Sequence, residues 1–74
     1  MTEEYDTGIQ EKLDFFMDEG LMIHITFKDG HFLNGRLIKK LREGVYWLEE
    51  RKLGQVFVFI RDIKELEEFK EVVG

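Results

Sequence analysis

The sequence predicts a small, mostly β domain opened by one helix. Three observations carry this: an alternating apolar stretch with a tight turn at 21–40, two later runs rich in aromatic and β-branched residues, and one helical stripe near the N-terminus.

The hairpin is the centre. Leu21, Ile23, Ile25 and Phe27 are apolar at every second position, and Met22, His24, Thr26 and Lys28 fill the other face. That is the period of a half-buried strand. Asp29-Gly30 supplies the turn. Setting Phe27 opposite Leu33, Ile25 opposite Gly35 and Ile23 opposite Leu37 keeps the inner face apolar. A slip of one residue would bury Asn34 and Arg36. This register implies a loop of Asp29, Gly30 and His31. Gly35 in mid-strand predicts a bend or a close backbone approach. Phe32 and Ile38 fall on the outer face, where the helix is expected to cover them.

Before the hairpin, residues 1–6 are polar and acidic and are expected to fray. Ile9, Leu13, Phe16 and Met17 then form one stripe of a helix over 8–19. Thr7 and Gln10 fit a capping box, and Gly20 fits the C′ position. Glu11, Asp14, Asp18 and Glu19 fall on the solvent side, so the helix reads as a lid on a sheet.

After the hairpin, Lys39 to Glu43 break the pattern and read as a loop, with a turn at Gly44. Val45–Glu49 is a third strand. Gln55–Ile60 is a fourth, apolar on both faces, which requires cover on both. The core supplies one cover, and the helix or a neighbouring subunit the other. The tail is open to two readings. Ile63, Leu66, Phe69 and Val73 recur at helical spacing, which slightly favours a helix, but a turn at Asp62 and a short fifth strand also fit.

Length and composition bound the rest. The 74 residues make one domain, spanning 1–74, with a marginal core. There is no Cys, so neither a disulfide nor a thiolate metal site supplements that core. Ten aromatic residues, seven of them Phe, on so short a chain suggest that another chain covers some of the apolar surface. The chain also lacks Pro, Ser and Ala. Lys, Arg, Asp and Glu make up 36%, a weak thermophile-like sign. The net charge of −5 argues against nucleic-acid binding by bulk charge. No stretch suits a membrane span or a signal peptide, so a cytoplasmic location is expected.

This order of elements resembles the Sm-like family, which includes archaeal and eukaryotic Sm-type proteins and bacterial Hfq. The matching residues are Ile25-Thr26-Phe27-Lys28-Asp29-Gly30 followed after four residues by Gly35-Arg36-Leu37, then Val58-Phe59-Ile60-Arg61, then the pair Ile63 and Leu66. They span roughly residues 8–70. The resemblance implies a helix on a five-stranded, strongly bent antiparallel barrel of SH3-like type, over about 21–70. It favours strand over helix for the tail. It also implies a ring in which the fourth strand pairs with the fifth of the next subunit. Val56, Phe57, Val58, Phe59, Ile60 and Leu66 are then the interface candidates.

The family's RNA site is not carried over whole. The Asp and Asn that hold a uracil base in the family fall on Leu41 and Val45 here. The Gly after the second motif's Arg is Asp62, and Arg61 alone matches an RNA-contacting position. What remains is local charge: Lys28, Arg36, Lys39, Lys40 and Arg42 against a single acid, Asp29. In the family geometry Lys39, Lys40, Arg42 and Arg61 would line a positive rim, able to hold single-stranded RNA. Tyr46 or Trp47 would stack on bases there, although packing in the barrel is the simpler role for both. The alternative is an oligomeric scaffold or protein-interaction module with no RNA role.

Catalysis finds little support. Without Ser or Cys the usual acyl-transfer nucleophiles are missing. Thr2 and Thr7 lie near the terminus, and Thr26 lies in mid-strand. His24 is expected opposite Arg36 and His31 in the loop, so the two do not converge on a metal or a general base. No phosphate loop or dinucleotide fingerprint is present, and no cofactor, metal or small-molecule substrate is implied.

Overall fold

A computed structural model of the chain describes residues 7–70. Helix α1 spans Thr7–Glu19. Five strands follow: β1 Met22–Phe27, β2 Phe32–Arg42, β3 Val45–Glu50, β4 Gly54–Phe59 and β5 Ile63–Glu68, with a single 3₁₀ turn, Ile60–Asp62, between β4 and β5. They form one antiparallel sheet in the order β4-β3-β2-β1-β5. The sheet is bent but not closed, so β4 and β5 are its two edges. No helix among the described residues is long and apolar enough to cross a membrane. The fraying expected of residues 1–6, and the end of the tail at Val73, lie outside the described residues.

The helix ends as its sequence requires. Gly20 has φ 65°, a left-handed conformation that costs glycine nothing. Its N–H donates to the Met17 carbonyl, and the Leu21 N–H donates to that of Phe16, both at 3.1 Å. These two bonds are the Schellman pair that satisfies the last turn. At the other end Thr7 lies within the helix, not before it as a cap. Gln10 does not close a capping box. Its Nε2 donates to Glu43 Oε2 at 3.5 Å.

Leu13 and Phe16 are buried by α1, with Ile9 and Met17 packed partly beside them. They join Ile23, Ile25, Leu37, Leu48, Val58, Ile60, Ile63 and Leu66 in one core. Tyr46 is also fully excluded from water. A buried phenol needs a hydrogen-bond partner, and Asp14 provides it. The Tyr46 hydroxyl donates to Asp14 Oδ1 at 2.5 Å. Asp14 is therefore half-buried and turned to the sheet, not on the solvent side as its helical position suggested. A hydrogen bond to a charged acceptor contributes about 1.5–3 kcal/mol, so this contact anchors the lid.

The hairpin register differs from the expected one by two residues. Ile25 pairs with Leu33, Ile23 with Gly35 and His24 with Asn34 rather than Arg36. An even shift leaves the same side chains on the inner face, so the hydrophobic pattern cannot distinguish the two. The loop decides. Asp29 takes a hydrogen bond from the His31 N–H at 2.9 Å, and His31 Nδ1 lies 2.7 Å from its other oxygen. The His31 backbone donor holds the Asp29 carboxyl below its ordinary pKa, with the His31 ring adding to the effect. This clamp turns His31 back toward β1. The Phe27 N–H then donates to the His31 carbonyl at 2.8 Å, leaving Lys28, Asp29 and Gly30 as the loop.

β2 runs on through Arg42, so Lys39–Arg42 is strand and not loop. It keeps pairing with β3 by leaving out two residues. Lys39 pairs with Trp47 after Leu37 with Leu48, and Arg42 pairs with Val45 after Lys40 with Tyr46, so Ile38 and Leu41 are bulges. Each bulge adds twist and bend, and it also breaks the alternation that a sequence reader follows. Gly35 supplies the third bend. A Cβ there would collide with the Glu49 carbonyl and come within 3.1 Å of Glu50 Cα.

The tail is a strand because of another bulge. Thr26 pairs with Glu65 but Phe27 with Ile63, which leaves Lys64 unpaired. Ile63 and Leu66 are both buried although three residues apart. The bulge thus imitates the helical period. The Phe69 N–H closes the strand on the Met22 carbonyl at 2.9 Å.

α1 rests against β2 and β5 and leaves the outer face open. Phe32 and Ile38 remain 60% and 49% exposed, so the expected helical cover over them is not there. β4 also lacks that cover, and Phe57 is 63% exposed.

Replacing Gly35 with Ala forces backbone apart and should cost about 1–3 kcal/mol. Urea unfolding of G35A against the parent chain measures it, and equal midpoints would show that β3 does not approach β2 this closely.

Candidate functional site

Two features of the fold can meet a partner: the basic end of β2 and the two sheet edges. The basic residues are brought near one another by the turns. The Ile60 N–H donates to the Gly44 carbonyl at 2.9 Å, which holds the 3₁₀ turn carrying Arg61 against the β2–β3 turn, just past Arg42. Lys39, Arg42 and Arg61 are all exposed. The Arg61 guanidinium sits 5.5 Å from the Phe59 ring centre, a cation–π distance.

Lys40 does different work. Its Nζ is 3.1 Å from Glu43 Oε1 and lies 5.7 Å from the Tyr46 ring centre. Glu43 also accepts from Gln10 of α1. So Lys40 serves a contact that ties the helix to the β2–β3 turn, and Glu43 offsets its charge. With exposed Asp62 next to Arg61, the local field is less positive than the count of bases suggests. Leu41 is an exposed bulge and Val45 is buried, so neither offers a polar group to a base.

The histidines do not converge. His24 Nδ1 meets Asn34 Oδ1 at 2.5 Å on the outer face, beside the Phe32 ring, while His31 holds Asp29. Among the described residues no three His, Asp or Glu gather as metal ligands. A shallow cleft between α1 and β5 is lined by Ile9, Lys12, Lys64 and Leu66, and Lys12 Nζ donates there to the Leu66 carbonyl at 3.1 Å.

The edges divide the six interface candidates. Val58, Ile60 and Leu66 are at most 4% exposed and pack in the subunit's own core. Val56 and Phe59 are half-buried, and Phe57 is open. The alternation of β4 explains the split: Val58 points in and Phe57 out. Phe57 leans edge-on against Trp47, with ring centres 6.4 Å apart. The Trp47 Nε1 beneath is shut from solvent and has no acceptor among the described residues.

β4 is positioned by its hairpin. Glu50 Oε1 accepts from the Lys52 N–H at 2.6 Å and the Leu53 N–H at 2.9 Å. These backbone donors, Leu53 first, hold the Glu50 carboxyl below its ordinary pKa of 4.5. Sequence reading missed Glu50, Asp14 and Glu43. Only Glu50 carried a local signal, an acid placed just before a polar loop.

No known protein-family model matches the chain, and no curated protein matches it.

The Glu50 contact should make the β3–β4 hairpin acid-sensitive. A carboxyl whose pKa is lowered by folding stabilises the fold above its unfolded pKa, and that contribution is lost as pH falls through the folded value. Protection of the Lys52 and Leu53 amides, relative to their intrinsic exchange rates, should therefore fall below about pH 4.5, and E50Q should show the lower protection already at neutral pH. Exchange in E50Q matching the parent at pH 7 would remove the cap from the account.

Proposed function

We propose that this chain is an Sm-like subunit whose copies join head to tail, β4 of one pairing with β5 of the next, into a closed ring that serves as a scaffold. One observation carries the reading: β4, Gly-Gln-Val-Phe-Val-Phe, is an open sheet edge with no charged residue and an exposed Phe57. Open, apolar edges invite pairing, and monomeric proteins blunt them with charge, proline or cover. Among the described residues β4 has none of these. The other edge, β5, lies at the opposite end of the same sheet. Two different edges that fit each other make a heterologous contact, which closes into a ring when the rotation permits.

Native mass measurement tests this. The parent chain should run as an oligomer of several copies, and a monomer at all concentrations ends the proposal. F57K places a charge on the open face of β4 without touching the core. Losing the burial of one aromatic side chain should weaken each interface about tenfold or more, seen as dissociation at higher concentrations than the parent.

A second reading adds single-stranded RNA. It is favoured by the Ile60–Gly44 bond, which gathers Arg61 and Arg42 at one end of the sheet, with Lys39 further along β2. Repeated around a ring, these cations would follow a phosphate backbone. Glu43, Asp62 and the net charge of −5 weigh against it. Labelled oligo-U and oligo-A should then be retarded at low salt and released as salt rises, and K39E/R42E/R61E should abolish the shift. No retardation at low salt leaves the scaffold alone.

A further inference from the structure

We propose that Lys12 guards the β5 edge: its ammonium holds the backbone acceptor that an arriving β4 needs, and assembly proceeds by displacing it. This rests on the head-to-tail reading above and names a control within it.

The free groups of β5 follow from its ladder. The Phe69 N–H donates to the Met22 carbonyl at 2.9 Å. The register runs back from there through Ile23 with Glu68, His24 with Glu67 and Ile25 with Leu66. Bonded and non-bonded pairs alternate along an antiparallel ladder. Glu67 is therefore turned to β1, while the N–H and C=O of Leu66 and Glu68 point out of the sheet, to where a further strand would pair. The Leu66 carbonyl is already engaged there. Lys12 Nζ, from α1, donates to it at 3.1 Å.

That contact stands in the way of pairing. Neighbouring strands lie about 4.8 Å apart, so an ammonium this close to the oxygen competes with an arriving strand for room as well as for the acceptor. A lysine at an edge is one of the devices that keep sheets from pairing, and it is one that can be withdrawn. Leu13 and Phe16 seat α1 in the core and Asp14 bonds Tyr46, so the helix stays in place when the Lys12 side chain swings away. Lys12 is exposed, and exposed Glu65 and Glu67 line the same cleft. The released ammonium thus moves into water beside carboxylates. β4 carries no charge and puts a backbone donor where the ammonium was.

Native mass over a concentration series tests this, on the full chain and three variants. K12M keeps the stem and loses the donor, K12A loses both, and K12R keeps donor and charge. K12M and K12A should assemble at roughly tenfold lower concentration than the parent, and K12R should match the parent. Amide exchange supplies a second readout: on assembly Leu66 and Glu68 should gain protection, while Glu67 keeps what it has. K12M and K12A no tighter than the parent leave the ring and overturn the guard. Weaker assembly with a lower urea midpoint also overturns it, because Lys12 would then be a tether for α1. Tightening in K12M alone overturns it too, since the added Met would be the cause. Assembly with no gain at Leu66 places the joint away from β5 and overturns both. Parent and variants that are all monomeric at every concentration overturn the ring itself.

Discussion

The contact on which this fold depends is the absence of a side chain at Gly35. β3 passes so close to β2 there that its Glu49 carbonyl occupies the space a Cβ would need. Without that approach β2 would run straight, and a straight sheet of short strands cannot enclose a core. The bulges at Ile38 and Leu41 carry the bend further along the same strand. One long strand with three departures from regularity thus does what several shorter ones do elsewhere. The apolar residues of β1, β3, β4 and β5 converge because β2 turns them toward one another.

The open end of that curve is stoppered by α1, and polar contacts fix how the stopper sits. Apolar packing of Leu13 and Phe16 has no direction of its own. The Asp14–Tyr46 bond and the Gln10–Glu43 contact, both from α1, supply it. This explains why Lys40 is drawn inward to Glu43 and away from any rim. Residues that look like a site by charge alone are in part consumed by holding the helix. The useful distinction among the four basic candidates is therefore between Lys40, which has structural work, and Lys39, Arg42 and Arg61, which stand exposed.

Alternation and turn chemistry made much of the fold legible: the helix and its glycine stop, the hairpin, the third and fourth strands, and the close approach at Gly35. What stayed hidden has one physical origin. A bulge shifts the side-chain period by one residue, and a reader of periods then sees a loop at Lys39–Arg42 or a helix at Ile63–Val73. The hairpin register failed differently, because a shift of two preserves every face and only the Asp29–His31 clamp separates the choices. Long-range partners such as Asp14 and Tyr46 left no local trace at all. The exposed β4 face could be anticipated only as a question of what covers it, since α1 was a credible candidate until its position was known.

A sheet that bends without closing leaves its two ends to be satisfied by other means. The charges around them bear on which means is open. Arg51 and Lys52 stand before β4 and Arg61 after it. Two copies joined antiparallel through β4 would set the cations at one end of the first strand against those at the other end of the second. Such a symmetric pair would carry like charges at both ends of its joint. β5 carries an excess of acids, so joining two copies through that edge concentrates negative charge instead. A mixed joint, as in the proposed ring, sets the acidic β5 beside the uncharged β4, and it cannot stop at two copies. It leaves one edge of each kind open until the chain of subunits meets itself. In the proposed assembly, one bare edge and one charged edge thus favour head-to-tail joining over a symmetric dimer, with a ring the outcome where the rotation closes.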